Sequence, residues 1–535
     1  MLPNRKLACT IFLAILGIFL SIFYFQSPIN DFGNYYFGSK FALQGVGIHD
    51  IYEPYKFNLL IRELPDLRSQ QFLENYAVVP PFTLLFYIPF TFIDIYTAKF
   101  FFNLFSVLVF CFFLFRLLRQ MEINSRLVFL LPLLLIVPFR NNILFGQTYL
   151  LLTGLLMAGF IFEQKKKNAL AALFYAIPIA LKISPVILLF YLLARKNFKT
   201  FFLVILFTSL FFFSAIYFTG WNFMKQYIFD FLPRMSVNEI NNPYATTYQS
   251  FTVLLRNLFI PDLLLNPAAL FNSVFAFEIF SGLLTGIIFF FFARQLLKSK
   301  DNFAAFSFTL LSGCLLTAYT SSYSLIFLLP ICITAIKNTN SPFFFRFSTL
   351  REIISSPASN LLLIFLICTI PVNAFQSLPL LLRFPRLYLL FLLFISYCFV
   401  RPPIKINWKW LSLSALIFIS TSIMFSKRRD KSQYFLHTEI SLLSYDFEFR
   451  GKELVLKILD ENGSSEKIIP LKDSVRSVQP IPLINNQIFF PDQLTNTTEL
   501  KRNPVLLNNT EIVYLGDQNR GIGFYALRKI PLELK

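Results

Sequence analysis

Residues 200–219 read TFFLVILFTSLFFFSAIYFT, an apolar stretch without a single charged side chain. A helix that crosses a lipid bilayer needs about 20 predominantly apolar residues, so this stretch is long enough to span one. Similar stretches recur along the first 425 residues, among them 97–118, 275–297 and 383–400. The pattern predicts an all-α polytopic membrane domain with about eleven to thirteen transmembrane helices.

The composition also indicates a membrane protein. Of 535 residues, 56% are hydrophobic and 71 are Phe, and the mean hydropathy is +0.61. The net charge of +19 comes from short basic clusters between apolar runs, such as 165–167 and 195–199. Such clusters are typical of cytoplasmic loops, so the charge argues against nucleic-acid binding. The 6 cysteines lie in apolar segments without CxxC spacing and there are only 2 histidines, so we expect neither a disulfide framework nor a zinc site.

Polar residues collect in two loops and a tail. The first loop, 27–76, is rich in Asp and Glu, and a second polar stretch covers about 220–249. From 426 to 535 apolar and polar residues alternate between turn signals, which predicts a β-rich soluble domain. We therefore divide the chain into a transmembrane domain, 1–425, and a C-terminal domain, 426–535. The basic cluster at 427–429 favours the cytoplasm for the C-terminal domain, whereas a resemblance to known membrane proteins implies the outside, where we expect it.

The distribution of basic residues gives conflicting assignments of the side of the membrane on which some segments lie. The N-terminal segment is interpreted as a retained signal anchor, which leaves Asp31 outside. If every later segment crosses, Arg116 and Arg119 also lie outside, although arginine clusters favour the inside. A proline-rich element in 77–94 that enters the membrane without crossing it would remove this conflict.

Ionisable groups at the edges of apolar segments are the candidate functional residues, because such groups are costly near lipid. Asp31 follows the first apolar stretch, and a carboxylate there can take a proton from an incoming hydroxyl. Aromatic residues at near-helical spacing in 31–45 predict a juxtamembrane helix, which either lies in the lipid interface or is an amphipathic helix whose aromatic residues have only a structural role. Further along, Asn141 and Asn142 are interpreted as N-caps of the apolar helix that follows them.

Lys182 stands alone between two short apolar segments, in the sequence ALKISP at 180–185. Two half-length helices meeting at Lys182 would bring its ammonium group to a membrane edge opposite the basic clusters, where it can bind a phosphate. The alternative is a lysine whose aliphatic stem simply lies along apolar surface.

Together these pieces resemble glycosyltransferase family 87 over about residues 8–340. The resemblance is carried by their order: DFGNYY from Asp31, Pro80-Pro81 at the start of a span, Gly146-Gln147, and Lys182 followed by Pro185. That family belongs to the GT-C superfamily of integral-membrane glycosyltransferases, which use polyprenyl-phosphate sugar donors.

The resemblance implies roles for particular residues. Asp31 matches the first-loop aspartate that serves the superfamily as catalytic base, and Lys182 matches a lysine near the donor phosphate, where we also expect Arg140. Two later motifs differ from the family, since Tyr248 replaces an asparagine before Gln249-Ser250 and Ser322 replaces a histidine before Tyr323. The residues expected to bind substrate are Tyr35, Tyr36, Gln147, Asn242, Tyr248, Gln249 and Tyr323.

The implied activity is transfer of one mannose-like hexose or pentose, with inversion, from a polyprenyl phosphate to a lipid, glycan or protein hydroxyl. It takes place on the extracytoplasmic side of the plasma (inner) membrane. No cofactor is required, and a divalent metal ion is compatible but not indicated. The alternative is a transporter or flippase of a lipid-linked saccharide, which would place ionisable groups near the bilayer midplane rather than at segment edges.

Overall fold

The computed structural model describes most of the membrane part and the strands of the C-terminal part. The described residues are 5–27, 29, 31–52, 54–64, 79–121, 123, 126–236, 243–262, 265–267, 269–318, 320–339, 356–399, 407–426, 433–434, 444–460, 463–471, 474–484, 487–489, 494, 501–516 and 526–532.

Up to residue 426 the described chain is mostly α-helical, with 3₁₀ turns and one π turn between helices. The α-helices are α1 Arg5–Phe23, α2 Asp31–Leu43, α3 Ile48–Ile51, α4 Pro54–Arg62, α5 Pro81–Tyr87, α6 Ile95–Gln120, α7 Leu130–Leu134, α8 Ile136–Phe145, α9 Tyr149–Gln164, α10 Asn168–Leu181, α11 Leu188–Ala194, α12 Phe198–Thr219, α13 Trp221–Gln226, α14 Leu232–Ser236, α15 Phe251–Phe259, α16 Val274–Lys298, α17 Asn302–Leu316, α18 Leu329–Asn338, α19 Pro357–Thr369, α20 Pro385–Phe399 and α21 Trp408–Ser426. The 3₁₀ turns are Ile88–Phe92, Arg126–Phe129, Ser184–Ile187, Ser324–Leu328, Val372–Phe375 and Leu380–Arg383, and the π turn is Tyr227–Phe231.

Four of the described helices, α1, α6, α12 and α16, are long and apolar enough to cross a membrane by themselves. The pair α7 and α8 makes a fifth if its 45° bend lies within one span. Other apolar helices in the described part have 10–17 residues. The expected eleven to thirteen spans therefore require most of these shorter helices to cross as well. The mostly helical membrane fold is confirmed.

The element 81–92 begins and ends at the same end of the helix bundle. Near its start, Thr83 Oγ1 donates a hydrogen bond to the Leu181 carbonyl at 2.7 Å. Just beyond its end, the Ile93 carbonyl accepts a hydrogen bond from the Tyr36 hydroxyl at 2.9 Å. The chain then leaves along the 26 residues of α6, which place Arg116 and Arg119 at the far end. This is the non-crossing element expected in 77–94.

Helices α9 and α10 form one hairpin, and α11 and α12 form a second. The turns within the hairpins lie at one end of these helices, and the turn between the hairpins lies at the other end. Their turns at Lys166 and Lys196 both use positive φ angles, of 57° and 55°. Between the hairpins the chain turns at Lys182, at the other end of these helices. Basic clusters therefore lie at one end of the bundle, and Lys182 and Asp31 lie at the opposite end.

Helix α2 forms where the sequence predicts a helix, but it does not lie in the lipid interface. Its side chains are buried on all sides, including Phe32, Phe37 and Phe41 at 0–1% exposure. The interfacial interpretation was wrong because aromatic spacing alone does not show whether lipid or protein covers a helix. Here α5, α6 and the turn 88–92 pack against it.

The last membrane helix packs closely against α16. A Cβ atom added at Gly282 would lie 2.6 Å from the backbone of Ile419, and one at Gly286 would lie 2.6 Å from the backbone of Ala415. The spacing of these two glycines matches the small-residue pattern that lets membrane helices approach closely. The contact fixes α21, which leads into the C-terminal strands.

We expect Gly286→Ala to destabilise the protein, because the added methyl group meets backbone that cannot rotate away. Overpacking of this kind costs about 1–3 kcal/mol. The measurement is the thermal unfolding midpoint of the protein in detergent. Gly47→Ala is the control, since its Cβ would meet nothing within 4 Å. Equal midpoints for both variants would contradict the close packing of α16 and α21.

The C-terminal part is β-rich, as predicted. Its described strands form antiparallel sheets of five strands (order β1-β10-β9-β8-β5), three strands (β2-β3-β4) and two strands (β6-β7). The strands are β1 Gln433–Tyr434, β2 Ser444–Arg450, β3 Glu453–Asp460, β4 Gly463–Pro470, β5 Val478–Pro480, β6 Leu483–Ile484, β7 Gln487–Ile488, β8 Lys501–Leu507, β9 Glu511–Gly516 and β10 Ala526–Pro531.

Candidate active site

Asp31 begins α2 and is held by the side chain of Gln147. The Asp31 Oδ2 atom accepts a hydrogen bond from Gln147 Nε2 at 2.6 Å. The Gln147 Oε1 atom in turn accepts a hydrogen bond from the Tyr35 hydroxyl at 2.8 Å. Asp31 and Tyr35 lie one helical turn apart, so the same face of α2 presents both to one amide. The structure thus brings together three of the predicted residues.

Gly146 determines where Gln147 lies. It ends α8 in the left-handed region with φ 63°, where a residue with a Cβ is strained. A Cβ at this position would also lie 2.7 Å from the Cβ of Phe32. Glycine is therefore required both for the turn and for the close approach of α2, and the next residue can reach Asp31.

Lys182 lies at the meeting point of two short helical segments, as the sequence predicts. Helix α10 ends at Leu181, and a 3₁₀ turn at Ser184–Ile187 leads into α11. The Lys182 Nζ atom lies 5.7 Å from the ring centre of Tyr35 and 5.1 Å from that of Tyr149. Both distances are within the range of cation–π interactions. Lys182 also interacts electrostatically with Asp31, so the carboxylate and the ammonium share one site.

The charges of Asp31 and Lys182 each oppose the effect of burial on the pKa of the other group. Burial raises the pKa of Asp31, and the hydrogen bond from Gln147 and the charge of Lys182 oppose that rise. Burial lowers the pKa of Lys182, and the charge of Asp31 opposes that fall. Each charge therefore favours the ionised form of the other, the form needed for a base and for a phosphate partner, while burial has the larger effect on both pKa values.

Asn141 and Asn142 do not cap a helix, which corrects the prediction. Both lie inside α8, because that helix continues to Phe145. Asn141 Nδ2 donates to Ser322 Oγ at 2.7 Å, and Asn142 Nδ2 donates to the Tyr323 carbonyl at 2.9 Å. They fix the segment that carries Tyr323.

The ring of Tyr323 forms a further wall of the site. It packs against Tyr149, with the ring centres 5.5 Å apart, and interacts electrostatically with Asp31. Tyr149, which the sequence analysis did not single out, therefore contacts both Lys182 and Tyr323. Its position directly after Gly146, Gln147 and Thr148 is the only signal for it in the sequence.

Arg140 and Tyr36 lie outside the group formed by Asp31, Tyr35, Gln147 and Lys182. Arg140 is exposed, and its Nε donates to Asn141 Oδ1 at 3.2 Å. The Tyr36 hydroxyl binds the backbone at Ile93, which fixes the non-crossing element. These contacts give Tyr36 a structural task, and the expected phosphate contact of Arg140 stays a prediction.

The second polar stretch contributes mainly packing in its described part. Gln249 is buried, with its amide nitrogen donating to the carbonyls of Thr246 and Arg383 and its amide oxygen accepting from the Arg386 backbone. Tyr248 interacts electrostatically with Tyr323. Asn242 lies outside the described residues.

A small cavity of about 20 Å³, room for about one water molecule, lies beside Tyr149. Hydroxyl groups of Ser184, Thr317 and Ser324 share its lining with apolar side chains. Its remaining lining residues are Pro185, Ile187, Leu310, Gly313, Cys314 and Phe327. The cavity is too small to hold a sugar or a prenyl unit.

Within the described part of the chain, no group of three or more His, Cys, Asp or Glu side chains is placed to hold a metal ion. The site is therefore described by its carboxylate, its lysine, its amide and its tyrosines. That no cofactor is needed stays a prediction.

Comparison with known proteins finds a similarity to one family. The model of glycosyltransferase family 87 matches residues 78–322, a little under half of the chain. The match includes Gln147 and Lys182, whereas Asp31 and Tyr35 precede it. No curated protein and no solved structure matches the chain significantly. Apolar helices and this family together make the chain an integral membrane protein. The resemblance predicted from the order of the motifs is thus confirmed over residues 78–322, where the chain is similar to glycosyltransferase family 87.

Proposed function

We propose that the protein transfers one sugar from a polyprenyl-phosphate donor to an acceptor hydroxyl, with Asp31 as general base and Lys182 as the cation for the donor phosphate. The observation that carries the proposal is the shared site of these two residues. Gln147 binds both Asp31 and Tyr35, and the ring centre of Tyr35 lies 5.7 Å from Lys182 Nζ, so a chain of contacts through Gln147 and Tyr35 joins the two residues.

In the proposed reaction the acceptor oxygen attacks the anomeric carbon from the face opposite the phosphate. The new carbon–oxygen bond forms as the bond from the anomeric carbon to the phosphate oxygen breaks, and the configuration inverts. The acceptor proton passes to Asp31, and the bonding electrons leave with the phosphate, whose charge Lys182 stabilises. A phosphate needs little protonation to leave, so one base and one cation suffice and no cofactor is invoked.

We propose the side of the membrane from the distribution of charge. Asp31 and Lys182 lie at the end of the bundle opposite Arg116, Arg119 and the 165–167 cluster. Because basic clusters favour the cytoplasm, this arrangement supports an active site on the extracytoplasmic side of the plasma membrane.

The lipid-linked donor is proposed from the resemblance to glycosyltransferase family 87, whose model matches residues 78–322. We propose a mannose-like hexose or a pentose as the transferred sugar and a lipid, glycan or protein as the acceptor.

The test incubates purified protein with a panel of polyprenyl-phosphate sugars and detects bound donor, slow hydrolysis or transfer. One donor that is bound and turned over supports the proposal. A protein that turns over none of them, but moves a lipid-linked saccharide between leaflets of a proteoliposome, is a transporter or flippase. The site argues against that alternative because its charges lie at one end of the bundle.

We expect a bell-shaped dependence of kcat/KM on pH. Asp31 must be deprotonated, so activity rises as pH increases through its pKa, which burial raises above the usual aspartate value. Lys182 must stay protonated, so activity falls as pH increases through its pKa, which burial lowers below the usual lysine value. Lys182→Arg should remove the alkaline limb, since arginine keeps its charge at every working pH. An alkaline limb that is unchanged in this variant would exclude Lys182 as its origin.

A further inference from the structure

Lys99 is a second buried lysine at the same site. It lies near the start of α6, inside the apolar stretch 97–118, and is only 1% exposed. Its Nζ donates a hydrogen bond to Ser27 Oγ at 3.3 Å. Ser27 belongs to the short connection between α1 and Asp31, so this bond ties that connection to α6. A buried ammonium group is costly unless an opposite charge compensates it.

Among the described residues, Asp31 carries an opposite charge that interacts electrostatically with Lys99. Asp94, at the start of the same helix, uses its carboxylate to cap the backbone of Tyr96 and Thr97. The other titratable or polar groups that interact with Asp31 are Lys182, Gln147, Tyr35 and Tyr323. Asp31 therefore lies under the influence of two lysines, which come from different helices.

The proposed reaction gives the two lysines different tasks. When a donor binds, its phosphate carries negative charge to Lys182 and weakens the effect of that lysine on Asp31. The same negative charge would favour protonation of Asp31, which would disable the base. A second cation that the phosphate does not occupy prevents this.

We propose that Lys99 is a positioning residue for Asp31, which anchors the connection before α2 through Ser27 and keeps the carboxylate ionised when the donor phosphate occupies Lys182. This inference rests on the proposed function of the site. It assigns no contact with the substrate to Lys99, and it separates the residue that binds the donor from the residue that sustains the base.

The first test compares the pH profiles of sugar transfer for Lys99→Met, Lys99→Arg and Ser27→Ala. Lys99→Met removes a positive charge near Asp31, so the acid limb of its pH profile of sugar transfer should move to higher pH by about one unit or more. Lys99→Arg should keep the limb near that of the wild type, and Ser27→Ala should too because Lys99 retains its charge. The KM for the donor should change little in Lys99→Met. An acid limb of Lys99→Met that coincides with the wild-type limb overturns the inference.

A second measurement does not depend on activity. Infrared titration of the protonated carboxyl group, taken as the difference between wild type and Asp31→Asn, follows Asp31 directly in the absence of donor. The midpoint should rise in Lys99→Met and in Lys99→Gln, a variant that retains a partner for Ser27 in case the apolar replacement does not fold. An unchanged midpoint overturns the inference even if the enzyme is active. A shifted midpoint in a protein that transfers no sugar would instead overturn the proposed function alone.

Discussion

Asp31→Asn is expected to lower kcat for sugar transfer by about 10²–10⁴-fold, the contribution that a positioned general base makes. The asparagine side chain has nearly the same shape, and its carbonyl oxygen can still accept the hydrogen bond that Gln147 donates to Asp31. The fold and the affinity for the donor should therefore be retained. The measurement is single-turnover transfer together with donor binding, which separates the chemical step from binding.

Asp50→Asn is the matched control, because Asp50 lies in the same loop, on α3. It should transfer sugar at close to the wild-type rate. If Asp31→Asn keeps wild-type kcat, Asp31 is not the base. If Asp31→Asn also loses donor binding, Asp31 contributes to binding of the donor before the chemical step, and its assignment as the base is incorrect.

Lys182→Met is expected to weaken both donor binding and transfer, with a loss of about 10²–10³-fold in kcat, the scale for removing one group that stabilises developing charge. The ammonium group between Tyr35 and Tyr149 disappears, and nothing in the methionine side chain can attract the phosphate. The acid limb of the pH profile should also move to higher pH, because Asp31 loses a nearby cation.

Lys182→Arg and Lys40→Met are the controls for this variant. Arginine keeps the charge and should retain part of the activity, although its planar head group differs in shape from the ammonium. Lys40 lies in the last turn of α2, and replacing it should have little effect. Since loss of one partner from a buried pair can destabilise a protein, the thermal midpoint is measured as well. Full donor affinity in a folded Lys182→Met protein would contradict the phosphate role.

Several parts of the fold could be predicted because they depend on local composition. The length of an apolar run is enough to indicate a spanning helix, and alternation between turn signals is enough to indicate strands after residue 426. Lys182 could be placed at a helix junction because a charged residue between two short apolar runs has few other structural positions available to it. The conflict in the charge pattern around Arg116 likewise pointed to a non-crossing element near 77–94.

The arrangement of the candidate site could be predicted only in part. Asp31 and Lys182 were named as ionisable groups at the edges of apolar segments, and Gln147 was named through the family's motif order. Nothing local in the chain shows that one amide joins Asp31 to Tyr35. Lys99 escaped notice because a lysine inside an apolar run has the same sequence pattern whether its stem lies along lipid or its ammonium faces a carboxylate. Asn141 and Asn142 were misassigned because helix-capping residues and buried amides that bind a distant segment are identical in sequence.

By itself, the sequence determined that this is a helical membrane protein with a β-rich tail, since hydrophobic length and periodicity are properties of neighbouring residues. It also carried the family motifs in order. Only the tertiary structure decided that α2 is buried in protein, that 81–92 returns to the end where it began, and that two lysines from distant helices face Asp31. The physical reason is that burial and electrostatic pairing depend on which segments meet in space, and residues 31, 99, 147 and 182 come from separate parts of the chain.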